Sequence, residues 1–292
     1  MGDVRDLLVV GGGSGGIAAA QSAKFRGATV AIVQDGPIGG DCTWTGCIPS
    51  KALLAAASRD EPFDVAMASV QAAIGAIAAA EDAEMLREEG IEVVEGRGTL
   101  VGRTGGALLG VEVGGVTHRA KSIIVCPGSK PLIPPIGGLA DVAYLTNETI
   151  FSLSEQPEHL LVVGGGPIGC EMAEAFSSLG SVVTIIEGDL RLMPRDDADA
   201  AAVIDRSLGR RGVGIRTGVF VSEVAATDLG VAATLSDGSS IESSHVLIAT
   251  GRAPSHAEMG LEAAGVELTD RGWINVDEHL QTSIKGVYAV GD

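Results

Sequence analysis

The sequence predicts an α/β fold made of two related parallel-sheet domains. Three observations carry this. A strand–turn–helix–strand unit occurs twice, 153 residues apart. Each copy opens on an apolar strand that runs straight into a glycine-rich turn. Short strands bounded by turn residues separate and follow the copies, which predicts antiparallel meanders inserted into each domain.

The first copy reads Leu7-Leu8-Val9-Val10-Gly11-Gly12-Gly13 and returns as Leu160-Leu161-Val162-Val163-Gly164-Gly165-Gly166. The match continues through Gly16 and Gly169, then Gly27 and Gly180, to strands predicted at 29–33 and 182–186. This is the βαβ start of a Rossmann-like, three-layer dinucleotide-binding domain. Gly11 and Gly164 allow the tight turn. Gly13 and Gly166 let backbone approach a pyrophosphate, and Gly16 and Gly169 let helix and strand pack closely. The helix that follows offers unpaired N–H groups and a positive dipole end to phosphates.

The residue that closes the second strand of each copy should meet the ribose hydroxyls. In the second copy it is Glu187, a carboxylate that accepts from hydroxyls and repels a 2′-phosphate. That site should therefore prefer NADH over NADPH. No Arg follows directly, and Arg191 is the nearest cation. The equivalent residue of the first copy is Gln34, which can accept only through its carbonyl oxygen.

Between the copies, 65–89 has helical composition and ends at Gly90. Segments 91–98, 108–113, 116–120 and 122–125 are expected as short strands of a meander. Pro127, Pro131, Pro134 and Pro135 then break the chain before Gly137-Gly138, and a crossing between domains is expected there. Beyond the second copy, 198–211 should be helical and 213–215, 219–227, 231–235 and 240–248 should be strands. A terminal strand is expected over 286–292. The domain boundaries that follow are 1–145 plus 272–292 for one domain and 146–271 for the other.

The chain has 292 residues, 42 of them Gly, and 46% of it is apolar, which suits two domains with separate cores. A net charge of −18 argues against nucleic acid and anionic membrane surfaces as partners. No uninterrupted apolar run is expected to span a bilayer, and 65–80 is expected as a packed Ala-rich helix. Met1-Gly2-Asp3 leads directly into a strand, so no signal peptide is expected and a cytoplasmic location is. No metal site is expected.

Four cysteines in such a chain do not make a disulfide scaffold. Cys126 and Cys170 stand alone in apolar surroundings and are expected as buried thiols. Cys42 and Cys47 lie in one run, Gly39-Gly40-Asp41-Cys42-Thr43-Trp44-Thr45-Gly46-Cys47-Ile48-Pro49-Ser50-Lys51. In a regular helix five residues advance about 7.5 Å, further than a disulfide tolerates, so an irregular turn around Gly46 is required. A helix is expected to run through Lys51 to about Ser58. Its N-terminal dipole would favour a thiolate at Cys47.

These residues together resemble the flavoprotein pyridine nucleotide–disulfide oxidoreductases, the family of dihydrolipoamide dehydrogenase, mercuric reductase and glutathione reductase. The resemblance covers nearly the whole chain. It implies that the first glycine-rich site, with Gly11, Gly13, Gly16, Gln34, Gly40, Lys51, Gly128 and Asp292, holds FAD. It implies that the second, with Gly164, Gly166, Gly169, Glu187 and Gly251, holds NAD(H). Cys47 is then the thiol beside the flavin and Cys42 the thiol that exchanges with a small or protein-bound disulfide. Lys51 lies near the flavin and pairs with a buried carboxylate, for which Glu171 is the candidate.

The sequence departs from the family pattern at Asp41, Thr43 and Trp44, at Gln34, and at Pro167, where an aromatic residue is common. Full-length relatives continue into a C-terminal dimerisation domain that supplies a His–Glu pair to the partner's dithiol, so a homodimer is implied for a full-length form and not for this chain. His118, His159, His245, His256 and His279 match no family motif and are expected as surface or structural residues. The implied activity is dihydrolipoamide dehydrogenase-like. Metal-ion reduction of the mercuric reductase type, pyridine nucleotide transhydrogenation and a nucleotide-binding fragment with little disulfide turnover remain alternatives.

Overall fold

A computed structural model describes residues 4–103 and 108–292. The expectation for Met1-Gly2-Asp3 lies outside them. In chain order the elements are β1 (Arg5–Val10), α1 (Ser14–Phe25), β2 (Val30–Gln34), α2 (Gly40–Trp44), α3 (Cys47–Ala57), α4 (Phe63–Ala80), α5 (Ala83–Glu88), β3 (Glu92–Glu95), β4 (Thr99–Arg103), β5 (Leu109–Val113), β6 (Val116–Val125) and β7 (Ser129–Pro131). There follow β8 (His159–Val163), α6 (Pro167–Ser178), β9 (Val182–Glu187), α7 (Ala198–Arg210), β10 (Gly214–Thr217), β11 (Val221–Thr227), β12 (Gly230–Leu235), β13 (Ser240–Ser243), β14 (His245–Ile248), β15 (Arg252–Pro254), α8 (Leu261–Ala264) and β16 (Val287–Ala289). The chain forms two compact units, Met1–Trp44 with Ala76–Lys130 and Pro254–Asp292, and Thr45–Gly75 with Pro131–Ala253.

The first unit holds a seven-stranded sheet in the order β3-β2-β1-β6-β5-β4, with β16 also on β6. The pairs β3/β2, β2/β1, β1/β6 and β16/β6 are parallel, while β6/β5 and β5/β4 are antiparallel. The second unit repeats the parallel part as β10-β9-β8-β14 and carries its meander separately, as β11-β12-β13. Both parallel sheets therefore put the strand that feeds the glycine turn at their centre. Strands buried on both faces need continuous apolar runs, and Leu8, Val9, Leu160, Leu161 and Val162 are fully buried.

Four expected strands come out differently because of their pairing. Segments 116–120 and 122–125 are one strand, β6. Its first half pairs antiparallel with β5 and its second half parallel with β1, so one long strand serves meander and parallel sheet without a break. Segment 240–248 does the reverse. Its two halves join different sheets, β13 with β12 and β14 with β8, and Ser244 turns the corner between them. Segment 91–98 is not a meander strand, since β3 is the parallel edge of the first sheet. At the C-terminus only Val287–Ala289 is strand.

The stretch Phe63–Glu88 is, by length and composition alone, apolar enough to cross a membrane. The continuous helix stops at Ala80. Asp82 then caps α5 by accepting from the Met85 N–H at 2.8 Å. Within α4 the buried residues Phe63, Ala66, Met67, Val70 and Ile74 fall on one stripe, the pattern of a helix packed along one face. In the second unit Phe63 meets Phe176 of α6 with ring centroids 6.2 Å apart.

Phe176 is fully buried. Replacing it with Ala should cost about 3–5 kcal/mol of stability, since a large ring leaves a cavity that its neighbours fill only in part. Urea unfolding followed by circular dichroism checks this, and a loss under about 1 kcal/mol would show that the ring is not part of the core.

Candidate active site

The two glycine turns are built alike. In the first unit Gly11 adopts φ +112° and sits against the Cys126 backbone carbonyl, and a side chain at Gly16 would strike the Gly11 carbonyl. In the second unit Gly164 has φ +113° against the Ala249 carbonyl, and Gly169 faces the Gly164 carbonyl. Neither α1 nor α6 has a side-chain cap at its start, where Gly13 and Gly166 stand, and neither carries an acid in its first turn. Their leading N–H groups and dipole ends are thus not neutralised locally. An anionic diphosphate fits such a cradle.

Further groups gather at the first turn. The Gly39 N–H donates to the Gly12 carbonyl at 2.8 Å, and a side chain at Gly40 would meet the Gly13 Cα at 2.8 Å. Gln34 Oε1 accepts from the Gly12 N–H at 2.6 Å. Asp292 accepts from Ser129 Oγ at 2.6 Å, so the chain end lies beside Gly128, which has φ +67°. Gly11, Gly13, Gly16, Gln34 and Gly40 are thereby collected around one turn, and Gly128 and Asp292 around another. Ser129 escaped the sequence reading because no spacing links it to a partner 163 residues away.

In the second unit Glu187 closes β9. Its Oε2 accepts from the Gly165 N–H at 2.6 Å and its Oε1 from the Asp189 N–H at 2.8 Å. Each oxygen keeps a lone pair for a further donor. Arg191 is not free to meet a phosphate. Its guanidinium donates to the carbonyls of Met193 at 2.6 Å, Asp196 at 2.7 Å, Pro194 at 3.0 Å and Leu192 at 3.4 Å. The Met193 N–H in turn donates to the Gly165 carbonyl at 2.8 Å. Gly251, at φ +141°, follows β14 in the turn that starts at Ala249. Pro167 occupies the first position of α6, where its missing N–H costs nothing.

The two cysteines of the paired motif stand on separate helices. Cys42 lies in α2 and is partly exposed, and Cys47 opens α3 and is exposed. The break falls at Thr45-Gly46, and Gly46, with φ −128° and ψ −112°, precedes α3. The irregularity expected near Gly46 is therefore a full stop between helices. α3 has neither a side-chain cap nor a first-turn acid, so its positive end faces Cys47 unopposed. Thr45 Oγ1, between the two cysteines, is a buried hydroxyl with no hydrogen-bond partner. Its unmet capacity suits a polar ligand atom.

Further along α3, Lys51 Nζ donates to Glu171 Oε1 of α6 at 2.6 Å. The pairing expected of these residues is present, but not in a buried setting. The Lys51 side chain keeps 61% of its exposure and that of Glu171 keeps 33%. A pair this open adds at most about 1 kcal/mol to stability. Its effect is to fix where the ammonium stands.

Cys126 and Cys170 are buried, and burial pushes both thiols up to about 12 from an ordinary value of 9.0. The five histidines hold structural or surface places. His159 meets Thr184 Oγ1 at 2.9 Å, His245 meets Ser244 Oγ at 3.0 Å, His256 meets the Gly272 carbonyl, and His279 lies near Glu278. Burial lowers the pKa of His118.

The family model "Pyridine nucleotide-disulphide oxidoreductase" matches residues 5–292. The chain belongs to this family. FAD and NAD(P)H are the cofactors of its flavoprotein disulfide reductases, and the two cradles fit two dinucleotides. A mercuric reductase of Streptomyces lividans is 35% identical over 98% of this chain and 65% of its own length. A glutathione reductase of Burkholderia cepacia is 33% identical over 98% of this chain and 66% of its own. Among solved structures, the HOCl-induced flavoprotein disulfide reductase RclA of Escherichia coli, in its Cu(II) complex, aligns with a TM-score of 0.90 at 28% identity. That alignment covers 99% of this chain and 66% of RclA. The chain spans about two thirds of the length of these relatives.

Alkylation of the native chain at pH 8 should label Cys42 and Cys47 and spare Cys126 and Cys170, since only exposed thiols with a thiolate fraction react. Peptide mass spectrometry reads this, and fast labelling of either buried thiol would contradict it. The same burial has a sign in pH. The folded state keeps both thiols protonated, so this contribution to stability is complete below pH 9.0 and is lost as pH climbs toward about 12.

Proposed function

We propose that this chain is the nucleotide-binding and dithiol-bearing part of an NADH-dependent flavoprotein disulfide oxidoreductase of the dihydrolipoamide dehydrogenase-like kind. Residues 1–145 with 272–292 hold FAD in this reading, and 146–271 hold NAD(H). The observation that carries it is the accessible thiol pair Cys42 and Cys47. The pair flanks a helix break, and that segment follows directly on the Gly39–Gly40 contact with the first glycine turn.

A bound FAD would supply two-electron transfer between the nicotinamide coenzyme and the disulfide. The chain's residues do the rest. The glycine turns and the open starts of α1 and α6 hold the two diphosphates. Glu187 accepts from the ribose hydroxyls of the nicotinamide coenzyme and repels a 2′-phosphate. Lys51, fixed by Glu171, sets a positive charge where negative charge collects on reduction. Cys47, at the positive end of α3, is held as a thiolate, and Cys42 exchanges with the substrate disulfide. The substrate is a small or protein-bound disulfide or dithiol, and a cytoplasmic setting keeps the pair within reach of reduction. A homodimer belongs to this reading only for a longer form of the protein. A second reading, metal-ion reduction on the same dithiol, is favoured by the similarity to a mercuric reductase.

The purified chain should show a flavin absorption band. One equivalent of NADH without oxygen should add a long-wavelength band from a thiolate against the flavin, and Cys47→Ser should abolish it. A colourless chain that takes up no added FAD would sink the proposal. A separate expectation concerns coenzyme choice. Glu187→Gln should weaken NADH binding by about tenfold, because one charge-assisted hydroxyl bond is lost, and should strengthen NADPH binding, because the charge that repels the 2′-phosphate is gone. Fluorescence titration with both coenzymes reads the ratio, and unchanged binding of both would refute the part given to Glu187.

A further inference from the structure

Gln34 and Glu187 occupy equivalent positions in the two copies, yet they are bonded differently. Glu187 accepts twice, from the Gly165 and Asp189 N–H groups. Gln34 accepts once, from the Gly12 N–H at 2.6 Å, and donates twice. Its Nε2 gives to the Asp35 carbonyl at 3.1 Å and the Pro37 carbonyl at 3.1 Å. The orientation of the amide is set by chemistry, because only an oxygen can face the Gly12 donor and only an NH₂ can face two carbonyls.

We propose that Gln34 is a positioning residue that clamps the 35–39 turn onto the first glycine turn, and that its donating nitrogen is the reason an amide stands here. The inference rests on the reading of this turn as a flavin site. A carboxylate at 34 could still accept from Gly12, but its second oxygen would face the Asp35 and Pro37 carbonyls with no proton to offer. It would have to swing away, and both ties would be lost.

The turn that Gln34 holds is a junction. On one side the Gly39 N–H donates to the Gly12 carbonyl at 2.8 Å. On the other, Trp44 Nε1 donates to the Ile38 carbonyl at 2.8 Å, which ties the turn to α2, the helix of Cys42. Gln34, Pro37, Ile38, Trp44 and Val93 line a cavity of about 260 Å³ beside it. Two departures from the family pattern, Gln34 and Trp44, are thus two halves of one device. They hold the same turn from opposite ends and fix the wall of one cavity. The amide gives up a charged grip on ribose hydroxyls and gains a turn that is in place before any ligand arrives.

The test compares wild type with Gln34→Glu and Gln34→Met, the second being close in shape and without hydrogen bonds. Two quantities are measured on the purified chain. One is hydrogen exchange of the 35–40 amides with no flavin added. The other is FAD binding, titrated by quenching of flavin fluorescence. In both variants exchange in 35–40 should rise about tenfold, since Gln34→Glu gives up the two bonds of the amide nitrogen and Gln34→Met all three of the side chain. Gln34→Glu should bind FAD about five- to tenfold more weakly despite its extra acceptor. Unchanged exchange in Gln34→Met would overturn the clamp, and so would tighter FAD binding by Gln34→Glu, which would make Gln34 only a weakened ribose ligand. If wild type and variants alike bind no FAD, the flavin reading fails, and the exchange data still decide the clamp.

Discussion

Each unit depends on one place where backbone touches backbone with no side chain between. Gly11 lies on the Cys126 carbonyl and Gly164 on the Ala249 carbonyl, in both cases where the central strand meets its parallel neighbour. Gly16 and Gly169 then lie on the carbonyls of Gly11 and Gly164, which draws the helix against the same strand. A methyl group at any of these four positions would push apart a strand end, a helix start or both. The uncapped helix starts, the anchoring of Gln34 and Glu187 at the neighbouring glycines and the seating of the 35–39 and 189–196 segments all follow from this closeness. The site is therefore made by what the sequence leaves out at a few positions as much as by the side chains it supplies.

Much of this was legible beforehand for a physical reason. A repeated apolar strand ending in spaced glycines has few structural solutions, and the sequence states it twice. The extents of α3 and α7 were readable within a residue or so, because Ser58 and Arg211 follow the last helical positions as C-caps. The pairing of Lys51 with Glu171 was suggested by family resemblance and not by spacing, since 120 residues separate them. Its openness was not foreseeable, because exposure depends on how α3 and α6 pack.

What could not be read shares one cause, which is that pairing partners lie far away in sequence. Nothing local distinguishes β6, a single strand shared by two kinds of pairing, from the split at Ser244, which performs the opposite division with similar residues. The same holds for the polar side chains that turned out to be structural. Arg191 reads from sequence only as the nearest cation to Glu187, and Gln34 as a poor acceptor. Only the fold shows that one is engaged by four carbonyls and that the other is valuable for its nitrogen. Gln34 was credited to the ligand, yet its first partners are the glycine turn and the loop beside it.

Arg191 also bears on how this protein could change. Coenzyme choice in such sites is commonly pictured as an exchange of an acid for a base near the ribose. Here the nearest base already serves as the internal strut of the 192–196 loop, and that loop bonds to the glycine turn through Met193. Recruiting Arg191 to a phosphate would strip the loop of its support, while loss of Glu187 alone brings in no positive charge. A lineage that began to use the phosphorylated coenzyme would need a new cation from elsewhere before it could spare either residue. In the proposed reading, a preference for NADH is held in place by the scaffolding of the loop, so it should drift more slowly than the character of a single carboxylate suggests.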